Sequence, residues 1–552
     1  MNIRSIATPF CALILMAGAA LSQVNTASLT GLVKDSSDAL VTGAKVSAQN
    51  VSTGAERSTE TNGQGYYFLA DLPVGEWEIS IEKTGFQKAV SRITLDATEK
   101  GRQDFALAVG TVATVATVQA SAPLLSTEDP SIGTVVDNKY VTEYPLLLRS
   151  WDDLVNLVAG VQGQRYTDQG GSTSAGRTGG FNVHGIRQLE NNFLLDGIDN
   201  NSISENVQEL TTQVARPSVD ALQEFKIITN PYSAEYSRGG AVISVISKGG
   251  TNEYHGTLYE YLRNRDTDAN DFFSNRQGLA KPENIRNQFG GNLGGPIKKN
   301  KLFAFFDEES TRIITGQLRS GTVPVDTERV GNFSVAAGAA VHTTYPTIYQ
   351  DGAPVPNNMI PSSSISPVAS AIMALFPQPT VAGAELNNYF RNAGLTDNTD
   401  RYSTRVDWQA SDNDTVFTRY TWSNRDRNSP GLFPGIADGT QSSSQGKYHL
   451  TADLAVIGWT RPISASLVNE LRIGYEHDNS YAQQEPFGQS GGNLVPGVPD
   501  NPAFAGGVTM ITFANLNTFI GSPNFLPKFQ KTQQWQFGDT VSRSRSDNRV
   551  AT

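Results

Sequence analysis

Four oxygen-bearing side chains lie close together in the sequence, at Asp196, Asp199, Asn200 and Asn201. Carboxylate and amide oxygens are the ligands that Ca²⁺ takes in loop sites. The spacing, however, lacks the alternating acidic residues and the terminal glutamate of such a loop. Asp and Asn also favour turns, because their side chains bond to nearby backbone groups and they tolerate positive φ. We therefore interpret these residues as turn formers and predict no metal site.

The residues that could support catalysis are scattered along the chain. No His-Glu-x-x-His motif is formed by the five histidines, which are His184, His255, His342, His449 and His477. A Gly-Lys-Ser/Thr phosphate loop is absent from the sequence, and the glycines between Gly290 and Gly295 follow no dinucleotide-binding pattern. Nothing assembles a nucleophile, a base and an oxyanion site. We predict a protein that is not an enzyme, with no catalytic residue and no cofactor.

The first 22 residues have the composition of a secretory signal peptide. Met1–Arg4 is short and cationic, Phe10–Leu21 is apolar, and Ala20-Leu21-Ser22 offers small residues for cleavage, which predicts a mature chain from Gln23. The apolar stretch is much shorter than the roughly 20 residues of a membrane-spanning helix. The only cysteine, Cys11, lies in this segment, so the mature chain is predicted to have no disulfide and no cysteine-based metal site.

The charge balance argues against nucleic acid as a partner. The chain has 43 Lys and Arg against 54 Asp and Glu, a formal net charge of −11, and no basic run. Nucleic-acid binding proteins concentrate positive charge on one face or along one element. We expect no nucleic-acid partner.

Several segments alternate between apolar and polar side chains. Residues 401–410 place Tyr402, Val406 and Trp408 on one face, opposite Arg405 and Asp407. Residues 415–423 and 465–478 repeat the pattern, with Phe417 as an apolar exception on a polar face. Such segments are typical of transmembrane β-barrels, although any single one also fits a soluble antiparallel sheet with one wet face.

Residues 23–108 predict a β-sandwich of about seven strands, because turn residues recur every eight to twelve positions. We expect Tyr67, Leu69, Trp77 and Ile79 to be core residues. The segment resembles the carboxypeptidase regulatory-like domain, a sandwich akin to transthyretin and starch-binding folds. That resemblance suggests a peptidase or carbohydrate binding, but the segment holds no histidine and no metal-ligand cluster. We interpret it as an accessory domain.

Residues 124–250 resemble the plug of TonB-dependent outer-membrane transporters. The match runs through Phe181–Arg187, Asn191–Asn200, Glu224–Ile227 and Ser247–Asn252, with His184 where arginine is usual. The resemblance implies a mixed α/β plug domain. Its structural motif residues are Gly185, Arg187, Asn191, Asp196, Gly197 and Asn200.

Residues 109–123 form a connector of Val, Thr and Ala between these two domains. An extended segment of this kind could add a strand to the sheet of a partner. The resemblance implies that this partner would be a TonB-type energy-transducing protein, docking at Val112, Thr114, Val115, Thr117 and Val118. A plain linker and the first strand of the plug are the alternatives.

The motifs His255–Thr257, Gln288–Gly290 and Leu293–Ile297 resemble the first strands of the family's barrel, which we assign to residues 251–552. A long polar loop, Leu318–Asn398, carries Asn358–Pro361 and Phe376-Pro377, and these residues narrow the resemblance to the Oar-like branch. We count eight to nine strand candidates, whereas plugged outer-membrane transporters close at 22 strands. We therefore expect a mainly β protein: a seven-stranded sandwich, a mixed α/β plug, and the first strands of an incomplete antiparallel transmembrane barrel. The expected product is a fragment whose strands form an open, curved sheet around the plug.

The resemblance implies a receptor and transporter in the outer membrane of a Gram-negative bacterium, in contact with outer-membrane lipid. The plug would gate the barrel and would be opened by the energised inner-membrane partner. The substrate is not readable from the sequence; a glycan, a peptide and a siderophore are all compatible. The alternative is an outer-surface carbohydrate-binding or adhesion protein without transport.

Overall fold

The structure is a computed structural model, and it describes most of the chain from Thr26 to Arg543. The described residues are 26–110, 115–117, 133–144, 146, 149–163, 181–203, 213–230, 236, 240–270, 272–276, 280–334, 345–384, 386–439, 446–464, 467–489, 495–497, 507–513, 518–522 and 526–543. Within these ranges, no helix combines the length and the apolar character needed to cross a membrane. The predicted signal peptide lies outside the described residues.

The N-terminal domain is a β-sandwich. Its strands are β1 (Ala27–Asp35), β2 (Lys45–Asn50), β3 (Glu56–Glu60), β4 (Tyr66–Leu72), β5 (Gly75–Glu82), β6 (Lys88–Leu95), β7 (Lys100–Arg102) and β8 (Phe105–Leu107). One sheet has the order β4-β1-β7, with β8 also paired to β1, and the other contains β3-β2-β5-β6. Residues 27–107 form eight strands in place of the predicted seven, because residues 100–107 form two three-residue strands.

The sandwich core contains the four residues expected from the alternation. Tyr67, Leu69, Trp77 and Ile79 are all buried in one hydrophobic cluster. The indole Nε1 of Trp77 donates to the carbonyl of Pro73 at 2.8 Å, so its one polar atom is satisfied. Buried tryptophan normally needs such a partner.

The connector contributes a further strand to the sandwich. β9 (Val115–Thr117) pairs in parallel with β6 and forms the edge of the second sheet. The rest of the connector between Gly110 and Pro123 lies outside the described residues.

The plug has a five-stranded sheet with the order β10-β15-β16-β13-β14. Its elements are β10 (Gly133–Asp137), α1 (Asn138–Glu143), a 3₁₀ helix (Trp151–Leu157), β11 (Val161–Gly163), β12 (Phe181–Val183), a 3₁₀ turn (Gln188–Glu190), β13 (Asn192–Leu195), β14 (Ile198–Asp199), β15 (Leu222–Ile228) and β16 (Val242–Ser247). Every residue of β16 is buried, as expected for a central strand covered on both faces.

An eight-stranded antiparallel sheet packs against the plug. Its strands are β17 (His255–Asn264), β18 (Asn284–Lys298), β19 (Leu302–Gly321), β22 (Tyr389–Gln409), β23 (Thr415–Ser429), β24 (Gly446–Ser464), β25 (Leu467–Gln483) and β28 (Lys528–Arg543), in this order across the sheet. The sheet is open in the described part of the chain, with β17 and β28 at its two edges. The predicted number of strands and the open sheet are thus confirmed.

The remaining elements belong to the loops at one end of this sheet. They are a 3₁₀ turn (Arg265–Thr267), α2 (Phe272–Arg276), α3 (Asp326–Arg329), β20 (Tyr349–Gln350), β21 (Ala353–Pro354), 3₁₀ turns (Pro356–Asn358, Ser362–Ser364, Gly435–Ala437), α4 (Pro367–Leu375), β26 (Ile511–Phe513) and β27 (Thr518–Ile520). Phe376, Tyr389 and Phe433 pack together there in a separate hydrophobic cluster. At the opposite end of the sheet, short turns join β18 to β19 and β22 to β23.

The two faces of the sheet differ as the alternation predicts. Tyr402 and Trp408 are exposed on the outer face, whereas Ser403 is buried and Arg405 largely buried on the inner face. Outer aromatic residues form rows across neighbouring strands: the ring centroids of Tyr402 and Trp422 lie 5.4 Å apart, and those of Tyr475 and Trp535 lie 4.8 Å apart. An apolar outer band bordered by aromatic rows is typical of a transmembrane barrel.

The strands extend further than predicted. β19 continues to Gly321, and β22 begins at Tyr389. The loop that the sequence placed at Leu318–Asn398 is therefore shorter at both ends. Between Tyr402 and the long-loop end of the sheet, which we call its upper end, the outer face of β22 carries polar residues, including Asn398 and Asp400. Polar residues on both faces remove the alternation that identifies a strand.

Candidate plug and barrel interface

The centre of the interface is a two-residue hairpin turn of the plug. Asp196 and Gly197 connect β13 to β14 and have φ values of 50° and 83°. Two positive φ angles define the type I′ turn, which matches the twist of the flanking strands and favours Asp-Gly. The turn directs Asp196 toward the inner face of the sheet.

The carboxylate of Asp196 is buried and tied to the plug's central strand. It accepts hydrogen bonds from Ser247 N at 3.0 Å and from Ser247 Oγ at 2.7 Å. Ser247 is the last residue of β16. These bonds fix the turn against the plug sheet.

Two arginines of the barrel wall reach the same carboxylate. Arg419 Nε lies 2.6 Å from Asp196 Oδ2, and Arg405 Nη1 lies 3.2 Å from Asp196 Oδ1. Arg405 on β22 and Arg419 on β23 are direct cross-strand partners, so two like charges face each other on the inner wall. Such pairs are destabilising unless an anion compensates them. Asp196 supplies that anion, together with Asp407, which lies 2.9 Å from Arg405.

The protonation state of Asp196 follows from these contacts. Burial alone would raise the pKa of Asp196, but the attraction of Arg419 and Arg405 and the bonds from Ser247 hold it below its ordinary value. The carboxylate is therefore ionised at neutral pH. Removing one partner of a buried ion pair costs about 3–5 kcal/mol, so this contact resists separation of plug and wall.

Phe417, the apolar exception on a polar face, completes the contact. Its ring packs against the hydrophobic core of the plug. The guanidinium of Arg405 lies over the same ring, 5.0 Å from its centroid. The plug core also includes Leu454 and Val456 of β24, so one apolar cluster spans plug and wall.

A second contact joins the hairpin to the edge strand β28. The backbone N–H of Asp199 donates to Gln536 Oε1 at 2.8 Å, and Gln536 Nε2 donates to the Asp199 carbonyl at 2.8 Å. A side-chain amide thus satisfies a donor and an acceptor that the short strand β14 leaves open.

Two other residues of the predicted plug motif hydrogen-bond to distant segments of the plug. Asn191 is buried, donates to the Phe181 carbonyl at 2.7 Å and accepts from Ala241 N at 3.1 Å. Asn200 is also buried, donates to the Ala215 carbonyl at 2.6 Å and accepts from Ala215 N at 2.9 Å. Each side chain therefore joins segments of the plug that are distant in the sequence.

Gly185 and Arg187 lie elsewhere. Both are exposed, in the turn that follows β12, and Gly185 has a φ of 79°. Asp196, Gly197 and Asn200 come together at the hairpin, whereas Gly185 and Arg187 do not join them.

The sandwich contacts the plug through its loop at residues 96–99. Ala97 N donates to Glu224 Oε1 on β15 at 2.5 Å, and Lys226 Nζ donates to Thr98 Oγ1 at 3.0 Å. Burial, with the nearby carboxylates of Asp96 and Glu99, raises the pKa of Glu224 to about 8, although the bond from Ala97 opposes the shift. The contact therefore includes an acid that titrates near neutral pH.

The sandwich also contacts the short-turn end of the barrel wall. Arg57 Nη2 donates to Thr415 Oγ1 at 2.5 Å and pairs with Asp71 at 3.0 Å within the sandwich. Thr26 Oγ1 donates to Glu470 Oε1 at 3.0 Å. The sandwich thus lies against the plug and the wall together.

The structure describes two of the five predicted partner-docking residues. Val115 and Thr117 belong to β9 on the edge of the sandwich. Val112, Thr114 and Val118 lie outside the described residues. In the part of the chain that the structure describes, no group of three His, Cys, Asp or Glu side chains could hold a metal ion.

Sequence reasoning missed Arg405, Arg419, Ser247 and Glu224 as interface residues. The alternation placed both arginines on a polar inner face, but one sequence contains no signal for their partner on the plug. Phe417 was the available clue, because an apolar residue on a polar face indicates something apolar in front of it.

Comparison with known proteins agrees with this architecture. Residues 246–551 match the family described as an outer membrane beta barrel domain, and residues 127–242 match the TonB-dependent receptor plug domain. The chain belongs to the TonB-dependent outer-membrane β-barrel family. Residues 28–108 of this family member match the carboxypeptidase regulatory-like domain.

Among curated relatives of this TonB-dependent family member, the TonB-dependent transporter Oar of Myxococcus xanthus is 26% identical over 275 residues. The match covers 47% of this chain and 24% of the relative, so the chain spans about a quarter of that relative's length.

Similar solved structures include the siderophore receptor PirA from Acinetobacter baumannii, which is 16% identical. The match covers 74% of this chain and 48% of that chain and gives a TM-score of 0.39. The outer membrane transporter YddB from Escherichia coli has 14% identity, covers 64% of this chain and 40% of that chain, and gives a TM-score of 0.39.

Proposed function

We propose that this chain acts in substrate transport across the outer membrane, with the plug as the gate and a TonB-type inner-membrane protein as the energy source. The observation that carries the proposal is the buried contact of Asp196 with Arg405 and Arg419. A plug held by ionised, desolvated groups stays in place without energy input. An external force applied to the plug would be needed to open the barrel.

The connector is the proposed point of attachment for that force. β9 lies at a sheet edge, and it precedes the first plug strand, β10, in the chain. A partner strand could pair with Val112–Val118 through main-chain hydrogen bonds, with little demand on side chains. Val112, Thr114, Val115, Thr117 and Val118 are the proposed docking residues.

The test begins with the ligand that co-purifies with the protein, identified by mass spectrometry. Its binding at the cell surface and its uptake are then measured in cells expressing the wild type or a deletion of residues 111–118. We expect the deletion, or a protonophore added to the wild type, to reduce uptake at least tenfold while surface binding remains. A matched control removes residues 351–354 from a loop at the opposite end of the sheet.

Uptake that is insensitive to the protonophore would contradict the transport proposal. Binding without any uptake would instead support the alternative of an outer-surface carbohydrate-binding or adhesion protein. Loss of uptake with the protonophore, but not with the deletion, would discard the docking residues and retain the gate.

A further inference from the structure

A second pair of opposed arginines lies on the inner wall, near the end of the sheet with the long loops. Arg319 on β19 and Arg391 on β22 are direct cross-strand partners, as Arg405 and Arg419 are. Directly opposed residues of antiparallel strands have Cβ atoms about 5 Å apart. Two guanidinium groups therefore share one small region of the wall.

This pair differs from the first in having no carboxylate. Neither Arg319 nor Arg391 forms an ion pair with any residue in the described ranges. Arg319 is held by the Pro430 carbonyl at 3.2 Å and Ser429 Oγ at 3.1 Å. Arg391 Nη1 is buried and has no hydrogen-bond partner among the described residues. A buried donor without a hydrogen-bond partner lowers stability, and more so when it is charged, so the wall retains Arg391 at a cost.

The surroundings add positive charge. Arg427 on β23 is repelled by Arg425, its neighbour on the same strand, and by Arg319. Arg425 and Arg427 share the buried carboxylate of Asp397. Asp397 lies 2.6 Å from Arg425 and 3.7 Å from Arg427. We call Arg319, Arg391, Arg425 and Arg427 the upper arginine patch.

We propose that the upper arginine patch binds a multiply charged anion, whose carboxylate or phosphate oxygens bridge Arg319 and Arg391. In the lower pair, the plug's Asp196 occupies the equivalent position between two opposed arginines. Arginine presents a planar fork of donors that matches carboxylate and phosphate oxygens, two at a time. The proposal rests on the proposed function in one respect, which is that this anion is part of the transported substrate.

The test is isothermal titration calorimetry on the mature full chain in detergent at physiological salt. Citrate is the carboxylate probe, pyrophosphate the phosphate probe, and maltotriose the uncharged comparison. The test variant is R319Q/R391Q. The control variant is R461Q/R543Q, which removes the same charge from two arginines exposed at the short-turn end.

We expect the wild type to bind at least one of the two anions and not maltotriose. R319Q/R391Q should weaken binding at least tenfold, and R461Q/R543Q less than twofold. Binding of neither anion, or equal weakening in both variants, would overturn the proposal. R391Q alone breaks no hydrogen bond seen in the structure, so it serves as a second variant if the double variant fails to fold.

The two proposals fail separately. Calorimetry involves no energised partner, so anion binding with protonophore-insensitive uptake would reject transport alone. Protonophore-sensitive uptake without anion binding would reject the patch alone.

Discussion

Arg419 Nε on the barrel wall lies 2.6 Å from the carboxylate of Asp196, at the tip of a plug hairpin. The same carboxylate neutralises the opposed Arg405, so one plug residue relieves repulsion between two wall strands. This side chain therefore couples the stability of the wall to the position of the plug.

Asp196→Asn should destabilise the refolded protein by about 3 kcal/mol, because it leaves two buried arginines with less compensating charge. The amide still accepts a bond from Ser247, which isolates the effect of charge. Guanidinium unfolding followed by tryptophan fluorescence measures the change. Asp199→Asn, in the same hairpin, is the control. The Asp199 carboxylate accepts from the backbone N and the side-chain amide of Asn201, and an amide oxygen can still accept there, so stability should change by less than about 0.5 kcal/mol. Equal effects would mean that the charge of Asp196 is unimportant.

Phe417→Ala should cost about 2–3 kcal/mol, since it opens a cavity between the wall and the plug core and removes the ring beneath Arg405. The neighbouring Val416→Ala changes the outer face and should leave the plug unaffected. Limited proteolysis of the plug distinguishes the two: cleavage should accelerate only in the Phe417 variant. No acceleration would place the plug contact elsewhere.

Gly197→Ala should destabilise the protein by about 1–2 kcal/mol, because alanine is strained at a φ of 83°. Gly394→Ala is the matched control: a Cβ there meets no atom within 4 Å, and the backbone does not have positive φ. Thermal unfolding of both variants measures the difference. A Gly197 variant as stable as the Gly394 variant would show that the hairpin turn is not rigidly set.

The contact of the sandwich with the plug should weaken as the pH rises. The pKa of Glu224 is raised by burial to about 8, so the folded state binds its proton more tightly than the unfolded state does. The associated stability is present below about pH 4.5 and is lost progressively up to about pH 8. Glu224→Gln keeps the acceptor for Ala97 N and should raise the melting temperature at pH 8 more than at pH 5.5.

The control for the pH experiment is Glu60→Gln, an exposed glutamate on the sandwich. It should shift the melting temperature equally little at both pH values. If the Glu224 and Glu60 variants have the same pH dependence, Glu224 does not control the contact.

The predictability of the fold and that of the site differ for a physical reason. Alternation along a strand is local, so it assigned Tyr402 and Arg405 to opposite faces correctly. The Asp196–Gly197 turn was also readable, because turn chemistry lies within two residues. The ion pair of Asp196 with Arg419 joins residues far apart in the chain, and no local pattern encodes it. The upper part of β22 was missed because residues 397–400 are polar on both faces, which interrupts the alternation there.

The length of these upper strands has a consequence for what the arginine patch can attract. From Tyr402 in the aromatic row to Arg391, β22 runs about 36 Å at 3.3 Å per residue. With the strand tilt of 35–45° usual in such barrels, Arg391 stands about 25–30 Å above that row. Electrostatic influence in physiological salt decays over about 8 Å, so the phosphates of the lipid head groups are screened from the patch. Its positive potential is therefore available to solutes in the external medium, undiminished by the membrane surface beneath it.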